Sequence, residues 1–87
     1  MAREERWTAP TIRAHLGERG FIQDTNTIHD EEKGVHYSSF ERGEDELTLV
    51  EFDNGAEPIV TQHGKHVRVA DIGYRNEQIQ HKPLLGD

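Results

Sequence analysis

Two histidines stand three positions apart around a Gly-Lys pair in the run TQHGKH, residues 61–66. Imidazole suits borderline divalent metals, so His63 and His66 are the first residues to weigh for chemistry. A two-residue Gly64-Lys65 loop with glycine first is a type II′ turn. It would face His63 and His66 across the ladder with their Cβ atoms about 5 Å apart. Two ligands are not yet a site, because zinc takes three or four. His36, or His29 with Asp30, would have to complete it. The simpler reading is two solvated turn histidines, which leaves His63 and His66 as a weak metal candidate and implies no cofactor.

The run His36-Tyr37-Ser38-Ser39 sets hydroxyls beside an imidazole. Strand neighbours point to opposite faces, so His36 shares a side with Ser38 and not with Ser39. A hydrolase also needs an acid behind the histidine and an oxyanion hole, and the chain contains no G-x-S-x-G element. Cysteine is absent, which removes disulfides, zinc-thiolate sites and thiol nucleophiles. A non-enzymatic reading is preferred.

Charge is the more informative signal. The formal net charge is −7, and ten acids fall between Asp30 and Glu57 against only Lys33 and Arg42. The middle third therefore carries the whole imbalance. Such a surface repels phosphate backbones, which need Lys and Arg for counterion release, so direct nucleic-acid binding is not expected. It suits a basic protein surface, with a negative field that steers the partner in. Candidate contacts are Glu31, Glu32, Glu44, Asp45, Glu46 and Asp53. One version of this reading is phosphate mimicry, as in small inhibitors of nucleases, restriction systems or polymerases, including those of phages.

The elements that must position these residues are legible in outline. Eighty-seven residues suffice for one modest core. RWTAPTIRAHLGERGF predicts a helix from about Ala9 to Arg19: Thr8 as N-cap, Pro10 in the first turn, Trp7 and Ile12 as a hydrophobic staple, Gly20 as C′. FIQDTNTIH reads as a strand interrupted at Asp24 and Asn26, and VHYSSFE and ELTLVEF as strands after it. DNG, Asp53 to Gly55, signals a hairpin. PIVTQH and HVRVADI close a meander.

The expected fold is α+β, an N-terminal helix on a four- to five-stranded, mainly antiparallel sheet. Its core should hold Ile12, Leu16, Phe21, Tyr37, Leu47, Leu49, Val60, Val67 and Val69. Residues 1–73 form the single domain and 74–87 an irregular tail with at most a short helical turn. Edge strands and Leu84-Leu85 leave room for a homodimer. MAREERWTAP lacks the apolar stretch of a secretory signal, and no apolar run approaches the roughly 20 residues of a membrane helix, so a cytoplasmic protein is expected.

A helix ending in Gly-Phe, then a strand, then KGVH (Lys33 to His36) resembles the start of the HicA-type mRNA-interferase toxins. The resemblance covers about the first forty residues. It implies an α-β-β-β-α fold, an RNA substrate and His36 as general acid/base. Those toxins carry a serine before the histidine where this chain has Val35, and they are basic where this chain is acidic.

Overall fold

The computed structural model describes residues 7–74. Helix α1 spans Ala9–Glu18. Thr8 caps it reciprocally with Thr11: Thr8 Oγ1 accepts from the Thr11 N–H, and the Thr8 N–H donates to Thr11 Oγ1 at 2.8 Å. A threonine thus does the work usually given to Glu in a capping box, satisfying two otherwise orphaned donors. At the other end the Gly20 N–H donates to Gly17 O, and the Phe21 N–H to Leu16 O. This is the Schellman pattern, with Gly20 at φ 90° supplying the left-handed residue it requires.

Five strands follow: β1 Ile22–Asp30, β2 Val35–Arg42, β3 Asp45–Phe52, β4 Ile59–Gln62 and β5 Lys65–Val67. They form one antiparallel sheet in chain order, β1-β2-β3-β4-β5. A 3-10 turn, Val69–Asp71, comes after β5. The predicted α+β fold with a helix on an antiparallel meander is therefore the one formed. Of the expected tail, Tyr74 is described, while residues 75–87, with Leu84 and Leu85, lie outside the described residues. Among the described residues no helix is long and apolar enough to cross a membrane.

Register decides which side chains meet the helix. Phe40 opposes Leu47, Ser38 opposes Leu49, and Leu49, Val60 and Val67 line up across three strands. This face receives Ile12 and Leu16 of α1, with Phe21, Val69 and Ile72 at the margins and Trp7 packed against the cluster. Ile12, Leu16, Leu47, Leu49, Val60 and Val67 are all fully shielded. Each such side chain contributes about 1.5–3 kcal/mol by leaving water. Arg42 ties the far end together. Its guanidinium lies 4.3 Å from the Phe21 ring centroid and donates to the carbonyls of Arg19 and Gly73 at 2.8 and 2.7 Å.

Three local expectations need correction. Tyr37 is not a core residue: it opposes Val50, which places it on the face away from the helix, and Phe40 takes the core position in β2. DNG does not close a tight hairpin. Pairing stops at Val50–Ile59, and residues 53–58 form a longer loop in which Asn54 Oδ1 accepts from the Ala56 N–H. Pro58, with no N–H, cannot extend the ladder.

The third correction concerns the β4–β5 turn. It is His63-Gly64, with φ values of 53° and 81°, the pair of positive φ angles that a type I′ turn needs. Gln62 then opposes Lys65 and Thr61 opposes His66, so His63 and His66 do not face each other. Both registers bury Val60 and Val67. The observed one sets them side by side next to Leu49, and histidine is among the residues that enter the left-handed region most readily.

Candidate functional site

The sheet has two unlike faces. Every described element outside the strands packs on one of them. On the other, Ile28 opposes Tyr37, Tyr37 opposes Val50, and Val50 opposes Ile59. These four side chains make an apolar row across four strands, with Val35 and Phe52 paired in the next row. Ile28 is 65% exposed and Ile22, further along the same face, 74%. Among the described residues nothing covers them. Antiparallel sheets commonly leave one face to water, but such faces alternate to polar residues; a row of Ile, Tyr, Val and Ile does not.

Carboxylates border this face at both ends. Glu41 and Glu46 oppose each other directly, a like-charge pair that costs stability. The neighbouring Arg42 points to the other side of the sheet and does not relieve it. Glu31 and Glu32 stand in the turn between β1 and β2, and Glu44 in the turn between β2 and β3. Glu31, Glu32, Glu41, Glu44 and Glu46 are exposed, and none has an ion-pair partner among the described residues. The other two candidate contacts are engaged. Asp45 meets Arg42 at 3.4 Å, and Asp53 turns toward two histidines. The six candidate carboxylates are thus divided between the two ends of the sheet and are not gathered in one patch.

The histidine cluster lies on the helix-side face. His29 and His36 are directly opposed in the β1–β2 ladder. Their rings stack with centroids 3.9 Å apart and planes 6° from parallel. His29 Nε2 donates to Asp53 Oδ2 at 3.0 Å, and His36 Nε2 lies 3.5 Å from Asp53 Oδ1. Asp53 is held in place from its backbone, since its N–H donates to Gly34 O at 2.8 Å just beyond the β2–β3 ladder. The hydrogen bond to Asp53 raises the His29 pKa above its ordinary 6.5, against partial desolvation. The acids Glu31 and Asp30 add to the rise. On the same face Arg13 of α1 reaches Glu51, the cross-strand neighbour of His36, at 2.6 Å.

His63 and His66 take no part in this cluster. Sequence spacing favoured them, yet the stacked pair is His29 and His36. The signal for that pair was present: counting outward from a four-residue turn at 31–34 sets Asp30 against Val35 and His29 against His36. Asp53 gave no such signal, because its place depends on the register of a third strand.

Comparison with known proteins finds no matching family model, no matching curated protein and no matching solved structure.

Proposed function

We propose that this chain is a non-enzymatic protein-binding module whose open sheet face takes an apolar segment flanked by basic residues. The observation that carries this is the apolar row Ile28, Tyr37, Val50 and Ile59, over which no described helix packs and which runs from the buried Val50 out to the exposed Ile28, between carboxylates that have no partner of their own. Exposed apolar patches rimmed by polar residues mark interaction sites. Opposed like charges such as Glu41 and Glu46 lower stability, so their presence calls for a reason outside folding. A cationic partner supplies one. Glu31, Glu32, Glu44 and Glu46 would meet its lysines and arginines, which gives steering and register more than raw affinity. A nucleic-acid-binding protein fits this chemistry, with the carboxylates standing where phosphates otherwise would.

The ribonuclease suggested by KGVH has less support. His36 is stacked face to face on His29 and both Nε2 atoms are turned to one carboxylate, an arrangement that favours a cation over a phosphodiester. Asp30, Glu31, Glu51 and Asp53 nearby would repel it.

Charge reversal tests the proposal. With the chain as bait in cells that express it, E31K/E32K and E44K/E46K should each release a captured partner while leaving the circular dichroism spectrum unchanged. A partner retained by both variants would contradict it.

A further inference from the structure

The His29, His36 and Asp53 cluster has a chemistry that the open face does not use. Three strands or their immediate extensions each deliver one ligand-type atom, and all three atoms lie within 4.8 Å of one another. The two imidazoles present the same nitrogen, Nε2, to the two oxygens of one carboxylate. We propose that this cluster is a binding site for a borderline divalent transition metal of the zinc, nickel and copper class.

Three features argue for a cation over an anion. The donor set is two imidazoles and one carboxylate, which matches the ligand preference of these metals and falls short of the six or more oxygens that calcium takes. The surrounding charge is negative, with Asp30 and Glu31 beside His29, so a dication is welcomed where a phosphate is repelled. Arg13, which reaches the cross-strand neighbour of His36, is already engaged with Glu51. Metal–nitrogen and metal–oxygen bonds of about 2.0–2.2 Å to one tetrahedral ion hold neighbouring ligand atoms roughly 3.3–3.6 Å apart, so the His29 Nε2–Asp53 pair at 3.0 Å must open slightly while the His36 Nε2–Asp53 pair at 3.5 Å already fits. Side chains 38%, 46% and 43% exposed have room to make that adjustment. On binding, the proton shared between His29 Nε2 and Asp53 leaves to solvent and the metal takes its place. Three protein ligands leave at least one coordination position for water.

Lack of burial makes the site an exchangeable one, and its pre-arranged geometry comes from the sheet. His29 and His36 are fixed opposite each other by the β1–β2 ladder, and Asp53 by its hydrogen bond to Gly34. The hairpin histidines His63 and His66 lack this arrangement, which makes them an internal control.

The test is calorimetric titration of the untagged 87-residue chain with Zn²⁺ or Ni²⁺ near neutral pH. One ion should bind per chain. H29A, H36A and D53N should each weaken binding by at least about tenfold, by analogy with the loss on disturbing the support of a metal ligand, while H63A/H66A should bind like the parent. Should a variant unfold, Ni²⁺ added in small portions to the isotope-labelled parent should broaden the ring signals of His29 and His36 before those of His63 and His66. Absence of binding by the parent overturns the proposal. So does binding that survives H29A/H36A, or first broadening at His63 and His66.

Discussion

The two faces of the sheet use similar residues for opposite ends. On the helix side, Leu49, Val60 and Val67 stand in one row with no exposure at all, locked between strands below and Ile12 and Leu16 above. On the other side, Tyr37, Val50 and Ile59 stand in an equally regular row, continued by Ile28, and no described element meets it. The first row holds the fold together. The second buries Val50 through its cross-strand neighbours alone, and an apolar row with no helix over it, between unpaired carboxylates, is what a binding site for a cationic, partly apolar partner would present. Composition alone does not separate these roles; only the register does, by assigning each residue a side.

The contrast is open to direct mutational test. Leu49→Ala should cost about 2–5 kcal/mol, the range for deleting a buried leucine side chain with partial relaxation, and should lower the urea midpoint sharply. Ile28→Thr on the open face should change stability by no more than about 0.5 kcal/mol, since Ile28 is 65% exposed and, among the described residues, touches only its strand neighbours such as Tyr37. If the two costs were similar, the open face would be part of the core and the distinction would fail.

A smaller effect sharpens the comparison through histidines. His15, in the last turns of α1, is half-buried with its Nε2 shielded, near the carbonyls of Val69 and Ile72 but in good hydrogen-bond geometry with neither. Its pKa is lowered, first by burial and then by Arg19, with Glu18 and the carbonyls of Val69 and Ile72 opposing. The Trp7 and His15 rings meet edge to face with centroids 5.1 Å apart. His29 is raised by Asp53. The signs oppose. Below 6.5, as pH falls toward the native pKa of His15, the unfolded chain takes up the proton first and stability drops. The contribution of His29 is full below 6.5 and fades as pH rises through its raised native value. In metal-free protein, NMR titration should give a midpoint below 6.5 for His15 and above 6.5 for His29. The reverse order would show that the two environments have been misassigned.

Much of this architecture was legible in the chain. The helix announced both ends, because Thr8, Pro10 and Gly20 each satisfy a local requirement that few other residues meet. The bulged first strand was legible in Asp24 and Asn26, and Asn26 does donate its N–H to Asp24 Oδ1 at 2.9 Å within it. Residues whose role depends on distant register were harder. Tyr37 and Phe40 alternate equally well in isolation, and only pairing with Leu47 and Val50 decides between them. His63 and His66 drew notice by closeness in sequence, yet a turn one residue earlier separated them. His29 and His36, seven apart, were brought together by the hairpin between them. Arg42, which spans three segments at the far end of the sheet, gave no local sign of that role.

The account rests most on the open face, and one measurement reaches it directly. A photo-crosslinking residue placed at Tyr37, with a control at the exposed helix position Ala14, should be introduced into the chain in cells that express it. The account predicts a protein adduct at position 37 and not at 14, whose cross-linked peptide holds apolar residues between lysines or arginines. No adduct at 37, equal adducts from both positions, or an acidic cross-linked peptide would contradict it.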